Sequence, residues 1–549
     1  MKNRPYPLYD DLPILDHLRQ MLEIKAVSVP DQIAFRYMPN RKTLVEKSYS
    51  DFYQEVRWLG TYLLKRGVRG RKIAIMGENS YQWLLAYFAI VTSGNVAVLL
   101  AKDFSQDEVT VLLNQTDTEL VVASKNCLSV VEASKKKLGK LRILPMTDMD
   151  EWIDKGRKFY ERGRNLYDAL TMEPERLATI FFTSGTSGIS KAVMLSQHNM
   201  ARDVSLTMQL FFPPEGATMA VLPFHHAFGL VTAVMKAFHY GRPIFINSSL
   251  ADFMKEIPIA KPKTLFLVPL FVETFSKTIW RTARKTGQEK KLRQGMKLSD
   301  ALLKVGVDKR RELFKDVLDK FGGELKYIIC GGAPLDPRYV KEFRSLGISV
   351  LNGYGITECS PVLSVNRNHY WRDGSVGQIV PKVSIRVYAP DTDGIGEIQV
   401  KGDNVMMGYY RNDEATGEAF IDGWYRTGDL GYVDKDGFLF ITGRAKNLII
   451  LANGENVSPE ELEQLIERIP EVAEVVAYEE DGAITAEIFP DDTIDLPEEQ
   501  VRKSIEEQVK KLNATQPNHK KIHKIRFRNT EFEKTATKKI KRYQIGKKS

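Results

Sequence analysis

The sequence predicts an α/β chain of more than one domain, a large N-terminal part of stacked α/β subdomains with a small β-rich subdomain, then a small α+β C-terminal domain. Three observations predict it. At 549 residues the chain is too long for one hydrophobic core. Strand-like and helix-like patterns alternate from the N-terminus to about residue 352, as in folds built on a largely parallel sheet. From Val376 the pattern changes to closely spaced strands and Gly turns, and beyond Lys446 a tail follows with its own capping signals and apolar stripes.

The elements follow in order. Apolar positions at helical spacing predict a helix over 49–66, then a strand over 72–76, a helix over 81–91 and strands over 96–100 and 120–123. The apolar run over 83–100 is interrupted by Thr92, Ser93, Gly94 and Asn95, so it reads as helix, turn and strand rather than a membrane span. The alternation resumes over 218–222 and runs through 348–352. Strands over 384–388, 397–401, 431–434 and 438–442 make up the β-rich subdomain. In the tail, Ser458-Pro459-Glu460-Glu461 combines an N-cap Ser, a first-turn Pro and a capping-box Glu. Leu462, Leu465, Ile466 and Ile469 mark one helix face; Val501, Ile505, Val509 and Leu512 mark another, with strands over 472–478 and 483–489 between them.

Composition narrows the function classes. Apolar residues make up 43% and charged residues 27%, an ordinary globular balance. The opening residues show no secretory pattern. Three cysteines, Cys127, Cys330 and Cys359, with no CxxC, indicate neither a disulfide framework nor a zinc site and predict a reducing cytoplasm. The net charge of +9 is uneven: residues 501–549 hold 16 Lys/Arg against 4 Asp/Glu, and residues 277–320 hold 14 against 6. Solvated basic faces are the default reading, with anionic lipid or polyanionic small molecules as the alternatives; no nucleic-acid module accompanies them.

The richest motif is Thr183-Ser184-Gly185-Thr186-Ser187-Gly188-Ile189-Ser190-Lys191. Small residues let backbone amides and hydroxyls crowd around an anion, and Gly turns successive amides toward one point. Apolar strands on both sides separate it from a strand–loop–helix Walker site and from a plain Ser/Gly linker. Gly331-Gly332-Ala333 follows a strand, which suits either close approach of a flat ring or a tight turn. Asn352-Gly353-Tyr354-Gly355-Ile356-Thr357-Glu358 supplies an aromatic face, a hydroxyl and a carboxylate, the mixture that a nucleotide with Mg²⁺ requires. Asp429 lies in a Gly turn, where it suits vicinal hydroxyls or simple turn chemistry. Arg444, Lys446 and Lys539 add cations, the last within a basic tail. His225-His226 lacks metal-ligand spacing and reads as a packed or pocket-lining pair. Cys330 and Cys359 read as small packing residues.

In order and spacing this set resembles the adenylate-forming superfamily of acyl-CoA synthetases, nonribosomal-peptide adenylation domains and luciferases. The likeness covers about residues 20–545, and Asp422 to Lys446 looks like the signature of the fatty acyl-CoA synthetases. The resemblance implies activation of a carboxylic acid by ATP to acyl-AMP, then transfer to CoA. A long-chain fatty acid is the implied acid, with an aryl or medium-chain acid, or a carrier-protein acceptor, as alternatives. It implies that Thr183, Ser184, Gly185, Thr186, Ser187, Gly188 and Lys191 hold the β- and γ-phosphates, and that Gly331, Gly332, Ala333 and Tyr354 enclose adenine. Thr357 would contact the α-phosphate, Glu358 would bind Mg²⁺, and Asp429 and Arg444 would hold the ribose. His226 would sit beside the acyl carboxylate, Lys539 would bridge carboxylate and α-phosphate, and Gly454 would admit the pantetheine arm. Lys446 would be the hinge between an N-terminal domain over 1–444, with its β-rich subdomain at about 376–444, and a mobile domain over 445–549. A cytoplasmic protein is expected, with peripheral contact on the inner membrane face left open by the basic helices. Two departures stand out: Ser190 where the family has Pro, and Lys538 where it has Gly.

Overall fold

The computed structural model describes residues 7–9, 12–183, 190–451, 456–480, 482–492, 494, 496–534, 540–542 and 545. Its contacts divide the chain into two units. The first is Met1–Ser384, Val400–Tyr425 and Asp436–Phe438; the second is Ile385–Gln399, Arg426–Lys435 and Leu439–Ser549.

The first unit is built on two sheets. In one, strands Ser349–Gly355, Tyr327–Cys330, Thr264–Leu267, Thr218–Ala220, Ile244–Ile246 and Ile33–Asn40 lie side by side and parallel. Val362–Val365 and Gly377–Ile379 extend it antiparallel beyond Ser349–Gly355. The other runs in the order Gly408–Tyr409, Lys191–Ser196, Leu177–Thr183, Val96–Leu100, Lys72–Met76, Leu120–Ala123, Arg142–Pro145. Its centre explains the longest apolar run. Helix Tyr81–Thr92 starts where the Ser80 side chain accepts the Trp83 N–H, and Trp83 through Thr92 are all buried. Gly94 turns the chain at φ 74°, and every residue of Val96–Leu100 is buried. A helix apolar all round thus sits inside the protein, as the sequence predicts.

Two apolar clusters hold these layers. One joins Ala74, Val98, Val121 and Ile180 to Val109, Leu112 and Val131; the other joins Met219, Leu265, Ile328 and Val350 to Phe253, Phe275 and Phe343. Among the described residues, no helix is long and apolar enough to cross a membrane. The basic stretch forms helices Pro269–Lys285 and Glu289–Lys304 and two short ones, and its surface includes exposed Leu298, Val305, Val307 and Leu313.

In the second unit, strands Val472–Glu480, Ala483–Pro490 and Lys524–Phe527 form a sheet beside helices Pro459–Ile466 and Glu498–Ala514. Leu462, Ile466, Val475, Ile484, Ile488, Val501, Ile505 and Val509 make its core, so both predicted stripes face inward. The Ser458 cap differs from expectation. Its hydroxyl donates to the Thr442 carbonyl at 2.8 Å instead of accepting a helix N–H, so the capping box is not formed. Strand Trp424–Val433 begins well before the predicted 431, because Arg426, Thr427 and Asp429 mask its alternation in the sequence.

Candidate functional site

Two antiparallel strands flank the Ser/Thr/Gly-rich segment. Thr183 ends one strand, Lys191 begins the next, and the two are register partners. Ser184, Gly185, Thr186, Ser187 and Gly188 lie outside the described residues, as do Gly454, Lys538 and Lys539. Ser190 is half-buried. The Lys191 ammonium sits 4.7 Å from the centre of the Tyr409 ring, a cation–π contact.

Tyr409 links that lysine to the acidic motif. It lies on Gly408–Tyr409, which pairs antiparallel with Lys191–Ser196. Its hydroxyl donates to Glu358 Oε1 at 3.1 Å, and the Tyr425 hydroxyl bonds to Tyr409 in turn. Burial, followed by the Glu358 charge, pushes both phenols well above the ordinary tyrosine range, so they stay neutral donors. Lys191 and Glu358, far apart in sequence, thus share one tyrosine.

Thr357 and Glu358 occupy a single 3-10 turn at the end of strand Ser349–Gly355. Gly355 is required there, since a Cβ would lie 2.1 Å from the Pro361 carbonyl oxygen. The turn is held from outside. Met406 N–H donates to the Glu358 carbonyl at 2.8 Å. Buried Asn404 donates through Nδ2 to the carbonyls of Cys359 at 3.0 Å and Val362 at 3.1 Å. Asp203 Oδ1 accepts the Val362 N–H at 3.0 Å.

Beside this turn lies an apolar cavity. Gly331, Gly332, Tyr354 and Gly355 line it together with Phe211, Phe228, Phe266, Ile329 and Val365. A Cβ on Gly331 would lie 3.2 Å from the Gly353 carbonyl oxygen and 3.5 Å from the Phe228 ring, so the Gly331–Gly332 loop and the segment after His226 approach closely. Ala333 is exposed on the same loop. His226 precedes Phe228–Met235, eight residues of π-helix, a wide turn often found at functional sites. Asn79 clamps this loop by donating to the Leu222 carbonyl at 2.8 Å and accepting the Phe224 N–H at 2.9 Å. The His225 and His226 rings are 4.2 Å apart; burial and His226 hold the His225 imidazole well below its usual range. The thiols of Cys330 and Cys359 are pushed up by burial, which suits packing.

In the second unit, Asp429 and Arg444 face each other across paired strands, with Arg444 Nε 2.9 Å from Asp429 Oδ1. Arg444 also donates to the Thr427 carbonyl at 3.0 Å, and Thr427 Oγ1 receives the Asp429 N–H at 3.0 Å. Lys446 is exposed in the turn Ala445–Asn447. The segments flanking Lys539 are anchored within this unit: positions 534 and 540 are bridged, Lys534 pairs with Glu474 and Glu531, and Arg542 pairs with buried Glu463.

The family described as AMP-binding enzyme matches residues 22–410, and the one described as AMP-binding enzyme C-terminal domain matches residues 446–548. The chain belongs to the AMP-binding enzymes. The resemblance drawn from the motifs is therefore borne out, as is the mixed α/β architecture. This AMP-binding enzyme is 29% identical over 449 residues to the long-chain-fatty-acid–CoA ligase FadD15 of Mycobacterium bovis, covering 77% of this chain and 73% of that one. It is 27% identical over 483 residues to long-chain-fatty-acid–CoA ligase 1 of Homo sapiens, covering 81% and 69%. Its fold is similar to that of ATP-bound MatB from Rhodopseudomonas palustris, with a TM-score of 0.76 at 24% identity over 96% of this chain and 98% of that one. It is also similar to the anthranilate CoA ligase AuaEII in complex with anthranoyl-AMP, with a TM-score of 0.77 at 20% identity over 97% of each chain.

The motifs of this AMP-binding enzyme assigned no role to Tyr409, Tyr425, Asn404 or Asp203. A Gly-Tyr-Tyr run at 408–410 was the one available signal for the first. The others act through contacts across long sequence separations and leave no local pattern.

Proposed function

We propose that this enzyme joins a long-chain fatty acid to CoA in two steps. In the first, a carboxylate oxygen attacks the α-phosphorus of ATP, the bond to the bridging oxygen breaks, and pyrophosphate leaves. In the second, the CoA thiol attacks the acyl carbonyl and AMP leaves. The observation that carries the reading is the apolar cavity beside the Thr357–Glu358 turn and the glycine loop, which suits an aliphatic chain. Relatives named as long-chain-fatty-acid–CoA ligases support the choice of acid.

The residues divide the work. Both reactants are anions, so their repulsion must be offset where charge builds up. Lys191 and the loop from Thr183 to Gly188 take the β- and γ-phosphates, and Thr357 the α-phosphate. Gly331, Gly332, Ala333 and Tyr354 border adenine, and His226 adjoins the acyl carboxylate. Asp429 and Arg444 take the ribose hydroxyls, Lys539 the charge between carboxylate and α-phosphate, and Gly454 the pantetheine arm. Lys446 is the hinge for a domain over 445–549. Among the described residues, no cluster of three or more His, Cys, Asp or Glu side chains could hold a metal. Glu358 with the nucleotide's phosphates still fits Mg²⁺, which commonly takes only one or two carboxylates from protein. Tyr409 would then orient the carboxylate, and the ion, when bound, supplies charge compensation on the phosphates. The exposed apolar side chains among the basic helices of 277–320 support docking on an anionic membrane face of a cytoplasmic enzyme.

Pyrophosphate release measured with palmitate, octanoate and benzoate, each with and without CoA, tests the reading. Palmitate is expected to be turned over fastest and acyl-CoA to accumulate only with CoA. Preference for benzoate would overturn the fatty-acid assignment, and acyl-AMP without acyl-CoA would redirect it to a carrier-protein acceptor.

A further inference from the structure

The wall of the apolar cavity contains a buried ion pair. Lys236 and Thr232 both line the cavity. Lys236 is 4% exposed, Asp203 is fully buried, and Lys236 Nζ lies 3.0 Å from Asp203 Oδ2. Burial pushes the Asp203 carboxyl up to about 6 and the Lys236 ammonium down, with their mutual attraction opposing both. Asp203 is otherwise committed to the Val362 N–H and faces the Thr207 hydroxyl at 3.5 Å.

The ammonium has three N–H donors. Among the described residues its partner is Asp203 alone. Thr232, one turn earlier, is also 4% exposed, and its hydroxyl has no hydrogen-bond partner among the described residues. It belongs to the π-helical stretch, where it does not make the common bond back to the preceding turn. Two buried polar groups therefore line one apolar space with hydrogen-bonding capacity left over. Leaving such donors unmatched is costly, and a ligand that matches them is selected over one that does not.

We propose that this cavity takes an acyl chain bearing a neutral oxygen, a hydroxyl or keto group, that accepts from Lys236 and, as a hydroxyl, donates to Thr232. The proposal rests on the acid-activating reading above and refines its substrate class. The oxygen is neutral because Asp203 already balances the lysine; a second carboxylate would leave net negative charge in an apolar wall. An unsubstituted chain would cover the ammonium without pairing it.

The test compares one saturated acid, its isomers carrying a single hydroxyl at successive carbons, and the corresponding dicarboxylic acid. Both pyrophosphate release and calorimetric binding to the ATP-free full chain are read. One hydroxylated isomer is expected to exceed the plain acid by at least about tenfold in kcat/KM and in affinity, with the dicarboxylic acid below both. In the double variant Lys236→Met with Asp203→Asn, where the new amide oxygen still accepts the Val362 N–H, that ratio is expected to collapse toward one. Thr232→Val, which leaves the ion pair intact, is expected to lower it several-fold. A wild-type enzyme that binds the plain or dicarboxylic acid at least as well as every hydroxylated isomer overturns the proposal. So does a ratio unchanged in both variants, which would make the pair purely structural. Absence of turnover with every acid would instead overturn the ligase reading, and binding alone would still decide the inference.

Discussion

Asn404→Asp perturbs the Thr357–Glu358 turn without touching it. In the wild type, both N–H bonds of the Asn404 amide are used, one to the Cys359 carbonyl at 3.0 Å and one to the Val362 carbonyl at 3.1 Å. The substitution conserves shape but replaces the donor nitrogen by an oxygen. Two buried carbonyls lose their donors and face an acceptor. Each stranded carbonyl costs about 1–3 kcal/mol, so about 2–4 kcal/mol in all is expected after some backbone relaxation. Asn404→Ala loses the same bonds without the repulsion, so the order of stability should be wild type, Ala, Asp. The turn carries the proposed α-phosphate and metal ligands, and about 1.4 kcal/mol of lost alignment is tenfold in rate. ATP–pyrophosphate exchange should therefore fall at least about tenfold in Asn404→Asp, with a lower urea midpoint. An Asp variant that matches wild type in exchange rate and midpoint would refute the claim that Asn404 holds the turn.

Lys539→Ala is expected to lower acyl-AMP formation by about 10²–10³, the usual effect of deleting one charge-stabilising donor; near-normal pyrophosphate release by the variant would remove Lys539 from that role. Lys446→Pro is expected to retain adenylation while losing thioester formation, and an equal loss of both would count against a hinge there. Burial pushes the Glu463 carboxyl from 4.5 up to about 8 despite Arg542 and the Ala477 N–H. The folded state then holds this proton more tightly than the unfolded state does. Stability should accordingly decline as pH rises from about 4.5 to about 8, by about 1.4 kcal/mol per unit of separation. Urea titrations of the full chain should show that decline, and Glu463→Gln should flatten it; a wild-type curve that rises over the same window would contradict the assignment. Liposome flotation should recover more protein on anionic than on neutral vesicles, and equal recovery would end the case for membrane docking by the helices of 277–320.

Local signals were the legible ones. The segments on both sides of the Ser/Thr/Gly run are apolar, so a loop between two strands could be read directly; that the strands pair antiparallel with Thr183 opposite Lys191 came from the structure. The turn after Tyr354 was legible because glycine and polar residues crowd a strand end. The stripes of the C-terminal unit were legible because its core comes from consecutive elements. What stayed hidden depends on pairing across distance. Asn404 serves carbonyls some forty residues earlier, Tyr409 meets Glu358 through an edge strand only two residues long, and Asp203 reaches the strand residue Val362 from helix Gln197–Thr207. Ser458 misled for a related reason, since a nearby strand carbonyl outcompeted its own helix for the hydroxyl.

The π-helical stretch Phe228–Met235 gives the apolar cavity an unusual route to change. Each residue of an ordinary helix turns the chain by about 100°. A π turn takes up one residue more than an α turn, so deleting one residue there would return the stretch to α-helical geometry while the helix beyond it, with Lys236, kept its phase. The segment from Phe228 to Thr232, which lines the cavity, would be rewound while the buried ammonium of Lys236 stayed in its wall. A single lost codon, rather than a set of point substitutions, would in this way reshape one wall of the cavity and leave its ion pair in place.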